Sequence, residues 1–201
     1  MTTGKARRSA RDGAFTLFCV LAVVSVLSAC GQSEWRELPV SDGAFSVLMR
    51  GEPTYARQQL HTPAGKMVAH LYSSDRPDSF FAVGYADYPL AAVVGGSPAD
   101  LFSGVRDTWL RRIEGKLTAS DNGIKLAGQY PGLEFQAEGK VKGTDAFVHA
   151  RFYLVDQRLY QIIAMGRKDA VPQGVINRFL NSFRLIPQSD VGTIQIQPNA
   201  K

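Results

Sequence analysis

After residue 44 much of the chain alternates polar and apolar side chains with period two. Ala44 to Met49 places Phe45, Val47 and Met49 on one face, the spacing of a strand with one buried side. Arg57 to Thr62 and Lys66 to Ser73 predict two further strands, joined by the turn Pro63-Ala64-Gly65. Ser79 to Tyr88, SFFAVGYADY, is rich in aromatic and small residues and is stopped by Pro89. Leu133 to Val141 sets Leu133, Phe135, Ala137 and Val141 against Glu134, Gln136, Glu138 and Lys140, so one face of this strand is expected to meet water. Thr144 to Val155 and Arg158 to Gly166 form the arms of a hairpin with Asp156-Gln157 at its tip. The second arm, LYQIIAMG, is apolar on both faces, as a central strand covered on both sides requires.

Two segments change to helical spacing. Ser97 to Gly115 begins with Ser97 as N-cap and Pro98 at the first helical position, with Asp100 in the first turn. Its apolar stripe is Phe102, Val105, Trp109 and Ile113. Arg106, Asp107, Arg111 and Arg112 lie opposite, with Asp107 and Arg111 spaced for an ion pair. Ala170 to Ser182 carries Val171, Val175 and Phe179 at steps of four, with Phe183 continuing the series. Both stripes need an apolar surface to cover, and the sheet supplies it. The fold class is therefore α+β: a mainly antiparallel sheet flanked by two amphipathic helices, an α/β/α sandwich, over residues 44–187. Residues 188–201 read as a loose tail, although Thr193 to Gln197 alternates like a strand.

The N-terminus follows another pattern. Lys5, Arg7, Arg8 and Arg11 precede an uncharged, mostly apolar run from Ala14 to Ala29, the layout of an export signal and too short to span a bilayer comfortably. The run closes on Leu27-Ser28-Ala29-Cys30, which resembles a bacterial lipobox. In such signals the cysteine receives a diacylglyceryl group and the chain is cut just before it. Residues 1–29 are then a lipoprotein signal peptide and Cys30 the lipidation site. Residues 30–43, polar with Pro39 and Gly43, are a tether reaching at most about 45 Å. Two or more acyl chains hold a protein stably at a membrane. The expected location is the exported side of the cell membrane or the outer membrane, the latter favoured because Gly31 carries no acidic retention signal.

Cleavage alters the composition. Cys19 leaves with the signal and Cys30 is consumed as a thioether, so of 2 cysteines none remains free, and disulfides, cysteine nucleophiles and cysteine metal sites fall away. Of 23 Lys+Arg four are removed, and of 18 Asp+Glu only Asp12, which leaves 19 against 17. A nearly neutral domain gives no support to nucleic-acid binding.

Catalysis needs convergent titratable groups. His61, His70 and His149 fall on separate predicted strands, without zinc-site spacing, and the zincin, nucleophile-elbow and Walker motifs are missing. No catalytic residue, metal ligand or cofactor is therefore assigned. The nearest thing to a binding face is His149, Arg151 and Tyr153 on one side of a strand, with Tyr160 on the next. It would suit a peptide or an acidic group.

Several pieces together resemble the PsbP/Mog-type domain, the fold of the extrinsic P-protein of photosystem II, found also in bacterial lipoproteins. They are Phe45-Ser-Val-Leu-Met49 with Gly51-Glu52-Pro53, Pro131-Gly132-Leu133-Glu134, the hairpin RFYLVDQRLYQI, and RFLNSFRL from Arg178 to Leu185. Arg50 departs from the pattern, where related sequences often carry proline. The resemblance implies a sheet sandwiched by helices and a protein that binds or assists assembly. The expected function is thus a membrane-anchored, non-catalytic protein-binding or assembly module of the cell envelope, with an envelope protein as partner. The alternative is a carrier of a small apolar ligand or lipid lined by the aromatic residues of Ser79 to Tyr88, and a hydrolase is a third reading.

Overall fold

The computed structural model of the protein describes residues 35–62 and 65–186. The export signal, Cys30 and the alternating segment Thr193 to Gln197 lie outside the described residues. The elements are β1 (Trp35–Val40), β2 (Phe45–Arg50), β3 (Thr54–Thr62), β4 (Gly65–Arg76), β5 (Ser79–Asp87), α1 (Leu90–Val94) and α2 (Pro98–Arg112). They continue with β6 (Lys116–Asp121), β7 (Lys125–Leu126), β8 (Tyr130–Val141), β9 (Thr144–Val155), β10 (Arg158–Arg167), α3 (Gln173–Ser182) and β11 (Arg184–Leu185). The fold is α+β and mostly antiparallel. An eight-stranded sheet runs β3-β4-β5-β10-β9-β8-β6, with β7 paired to β8, and a three-stranded sheet runs β1-β2-β11.

Strand β10 explains the layering. Ile162 and Ala164 belong to one apolar cluster and Ile163 and Leu159 to another, because successive side chains of a strand leave on opposite faces. The first cluster gathers Phe45, Val47 and Met49 of β2 with Ile176, Phe179 and Leu180 of α3. The second gathers Leu133 and Phe135 of β8, Ala150 and Phe152 of β9, and Phe102 of α2, with Val105 and Trp109 packed beside it.

Helix α2 begins as its sequence dictates: the Ser97 side chain accepts the Asp100 N–H at 3.1 Å, and Pro98 opens the first turn. Its charges pair differently from expectation, half-buried Arg106 taking Asp107 at 2.9 Å while exposed Arg111 bonds Thr108 at 3.0 Å. The helix ends against β8, where the Lys140 N–H donates to Ile113 O at 2.6 Å. A Cβ on Gly139 would collide with that carbonyl and stand 2.6 Å from the Gly115 Cα, so only glycine fits the crossing. Helix α3 starts three residues later than the pattern suggests, because Pro172 is still extended at ψ 138°.

The segment read as a tether is shorter than expected, since residues 35–40 form β1. The strand was hidden because Pro39 interrupts it and much of it is exposed. The Ile186 N–H donates to Ala44 O at 3.0 Å and the Leu48 N–H to Ser182 Oγ at 2.9 Å, so even-numbered residues of β2 face away from β1. Phe45, Val47 and Met49 therefore bond to Val40, Leu38 and Arg36, and Pro39 turns the position without an N–H outward, where an edge strand tolerates it. At another edge, β6 is interrupted by a register shift between Leu117 and Ala119, which also discourages pairing.

Phe45 joins the two sheets: fully buried, its ring meets Tyr72 and Tyr85 at 6.1 Å, Tyr160 at 6.0 Å and Phe183 at 5.5 Å. Phe45→Ala is expected to lower unfolding free energy by about 3–5 kcal/mol in urea titrations. Arg111→Ala on the solvent face of α2 should stay within about 0.5 kcal/mol of the parent; similar small losses for both would contradict this packing.

Candidate functional site

His149, Arg151 and Tyr153 alternate along β9 and share the face that looks toward α3. Register places Glu134 of β8 directly opposite Arg151. One carboxylate oxygen of Glu134 accepts from His149 Nε2 at 2.6 Å and the other from Arg151 Nε at 2.7 Å. Helix α3 covers this group with Gln173, Asn177 and Asn181, polar side chains at steps of four. Arg151 donates to Asn181 Oδ1 at 2.7 Å, and Gln173 donates to Asn177 Oδ1 at 2.8 Å while its amide lies 3.4 Å from His149 Nδ1. The result is a polar seam along one side of α3, with His149 only 4% exposed.

Burial alone would raise the Glu134 pKa, but the hydrogen bonds from His149 and Arg151 and the nearby guanidinium charge outweigh it and hold the carboxyl below its ordinary 4.5. Burial pushes the Tyr153 phenol up, opposed by the Arg151 charge. Tyr160 stands opposite Tyr153 in register, yet its hydroxyl leaves the seam and donates to Gly43 O at 2.7 Å. Its phenol is likewise pushed up, by burial first. Of the four residues singled out, His149 and Arg151 thus converge, Tyr153 flanks them, and Tyr160 ties the main sheet to the β1–β2 turn.

Glu134 was read as facing water; it faces α3 instead. The signal that could have found it is the acid opposite a base in hairpin register, together with the polar Gln173-Asn177-Asn181 stripe on an otherwise amphipathic helix. His149 and Glu134 do form a histidine–carboxylate pair, beside a cleft of about 160 Å³ lined in part by Gln136, Glu138, Lys168, Asp169 and Gln173. The hydrogen bonds of this pair among the described residues run to Arg151 and Gln173, and through Arg151 to Asn181, rather than to a hydroxyl that could act as nucleophile.

A second constellation was not anticipated. Arg158 grips Asp87 with two bonds of 2.6 and 2.8 Å, donates to Asp42 O at 2.9 Å, and lies 4.9 Å over the Tyr85 ring. Tyr85 stacks on His70 at 4.5 Å and 3°, and His70 Nδ1 meets the Tyr55 hydroxyl at 2.8 Å. The Tyr55 ring lies 4.9 Å from that of Tyr72, and a groove of about 240 Å³ opens between Tyr72 and the segment Leu38, Pro39, Val40, Ser41, Asp42. Burial, with smaller contributions from neighbouring groups, pushes Tyr85 up to about 12; burial and then Arg57 pull His70 down. The Arg158 hydrogen bond lowers Asp87. Tyr55 is 52% exposed, and with His70, Tyr72 and Arg57 it presents an aromatic, cationic shelf on β3 and β4. Only strand pairing brings these residues together, so the linear pattern could not show it.

No family model matches the chain, and no curated protein does. Among solved structures, the crystal structure of PA94, a protein of unknown function from Pseudomonas aeruginosa, is similar at 11% identity with a TM-score of 0.34, covering 69% of this chain and 87% of that one. Among the described residues no helix is long and apolar enough to cross a membrane, and no three histidine, cysteine or carboxylate side chains are grouped to hold a metal.

The seam has a pH signature. Because the folded pKa of Glu134 lies below its unfolded value, its stabilisation is complete above the ordinary 4.5 and is lost as pH falls through the depressed folded value. Glu134→Gln should therefore narrow its stability gap to the parent between about pH 5 and pH 3 in urea midpoints, and Arg151→Ala should cost about 1–3 kcal/mol at neutral pH. A gap independent of pH would contradict the assignment.

Proposed function

We propose that the chain is a lipid-anchored, non-catalytic protein-binding or assembly module of the cell envelope, built on a PsbP/Mog-like sheet held between α2 and α3. The observation that carries this reading is the division between the two polar constellations. His149, Arg151 and Glu134 spend their hydrogen bonds inside the fold, whereas exposed Tyr55 and Arg57 present a ring and a cation outward beside half-buried His70 and Tyr72. Exposed aromatic residues beside arginine are the usual anchors of protein recognition.

The order of basic segment, apolar run and Leu27-Ser28-Ala29-Cys30 supports anchoring through Cys30 on the exported side of a membrane. Of the aromatic residues invoked for the carrier alternative, Phe81 packs against Trp35 at 5.8 Å and Phe179 at 5.1 Å, and Tyr85 is stacked on His70, which favours the binding-module reading. Hydrolysis would need the His149–Glu134 pair to release partners it already holds.

Affinity capture of the full chain from detergent-solubilised membranes tests the reading when the parent is compared with Cys30→Ser and with Tyr55→Ala/Arg57→Ala. Cys30→Ser should move from the membrane to the soluble fraction. The double variant should keep its unfolding midpoint and lose a stoichiometric protein partner that the parent retains. A partner indifferent to Tyr55 and Arg57 would remove the shelf from the account, and a bound lipid in place of any protein would turn it toward the carrier.

A further inference from the structure

Among the described residues the two sheets end on the edge strands β1, β11, β3 and β6, and three of these are blunted. β1 carries Pro39, β11 has 2 residues, and β6 breaks register between Leu117 and Ala119, devices that keep an edge from recruiting another strand. β3 has none of them. Its 9 residues pair with β4 without a shift, from Thr54 opposite Ser73 to Thr62 opposite Gly65. No proline, glycine, lysine or carboxylate stands between Thr54 and Thr62, and Tyr55 to Gln59 are exposed. Alternate residues of such a strand turn both N–H and C=O away from their neighbour. β3 thus directs a row of backbone donors and acceptors to a side where no described strand lies.

The side chains decide what fits there. A residue whose backbone groups point outward bonds only with another such residue, so two antiparallel copies of β3 pair in registers centred on a residue rather than between two. Centring on Arg57 would set guanidinium against guanidinium. Centring on Gln59, or nearer either end, would leave residues beyond the end of the other strand. Centring on Gln58 pairs all 9. Tyr55 then stands opposite His61 of the second copy, Arg57 opposite Gln59, Ala56 opposite Leu60 and Thr54 opposite Thr62. Ring meets ring, cation meets amide, methyl meets isobutyl and hydroxyl meets hydroxyl, and no like charges oppose. The faces match as well, because every pair joins odd to odd or even to even, and these leave a strand on opposite sides.

We propose that β3 is a self-association edge: two copies of this chain join antiparallel through β3, centred on Gln58, and their large sheets continue as one. The two-fold axis stands perpendicular to the sheet, so Tyr55 and Arg57 of both copies lie on the same side. The contact is one strand wide and dissociates far more readily than the fold opens. It stands apart from the binding-module reading, since Gln58 lies on the face opposite Tyr55 and Arg57.

The full chain carrying Cys19→Ser and Cys30→Ser has no thiol of its own, which also frees the test from the question of anchoring. In that background Gln58→Cys places two thiols across the axis at a Cα separation of about 4.5–5.5 Å, within disulfide reach, whereas Ala56→Cys leaves them about 13 Å apart along the strands. Mild oxidation should cross-link the first into a dimer and leave the second monomeric. Equal cross-linking of both, or of neither, overturns the proposal. Sedimentation of the same background in mild detergent should show a reversible dimer, weakened about threefold to tenfold by Gln58→Lys or by Gln58→Glu and restored when the two variants are mixed. Unfolding midpoints should not move, because Gln58 is exposed. A chain that stays monomeric at about 100 μM, or charge variants that associate as well apart as mixed, removes the second copy and leaves the edge to a strand of another protein.

Discussion

A strand that is apolar on both faces has to be covered twice, and β10 places that demand at the centre of this protein. Ile162 and Ile163 are adjacent in the chain and fully buried in different clusters. Burying each side chain is worth about 1.5–3 kcal/mol, so neither face can be left to water. The remaining elements follow from that condition. Phe102 with its neighbours on α2 meets one face, and β2 with Phe179 of α3 meets the other. Phe45 joins the small sheet to the large one through Tyr72, Tyr85 and Tyr160. Gly139 stays bare so that the end of α2 can cross β8.

On the β2 and α3 side the covering is incomplete in apolar terms, and polar chemistry finishes it. Where α3 runs beyond Ile176 and Phe179 toward β8, the sheet offers Glu134, His149 and Arg151, and the helix answers with Gln173 and Asn181. A half-buried carboxylate in this position is stabilised only while both bases hold it, which makes the seam a determinant of how α3 is seated. Its hydrogen bonds run between the sheet and α3. Exposed Tyr55 and Arg57 lie elsewhere, on β3, beside half-buried His70 and Tyr72 of β4.

Much of this was legible in the chain. Period-two alternation located β2 and β8, the polar tip Asp156-Gln157 separated β9 from β10, and the two-faced apolarity of LYQIIAMG announced the central strand. Ser97-Pro98 marked the start of α2 to the residue. Strands that live by pairing rather than by pattern were not legible. β1 is largely exposed and contains Pro39; β6 is exposed throughout and bulged, so neither shows alternation. The same limit governed the sites. His149, Arg151 and Tyr153 could be grouped because they lie on one strand. Glu134 needed the register of β8, and the Tyr55-His70-Tyr85-Arg158 row needed four strands in order. Tyr160, grouped by proximity to Tyr153, was claimed instead by a carbonyl in the β1–β2 turn, a contact across 117 residues.

Native-state amide hydrogen exchange tests the central claim most directly, because it ranks each strand by the opening needed to expose it. If double coverage of β10 organises the fold, the amides of Ile162, Ile163, Ala150 and Phe152 should exchange only through global unfolding, while those of Gln58 and Gln59 on exposed β3 exchange through smaller local openings. Protection of β3 equal to that of β10, or exchange of Ile162 and Ile163 well below the global unfolding free energy, would contradict it.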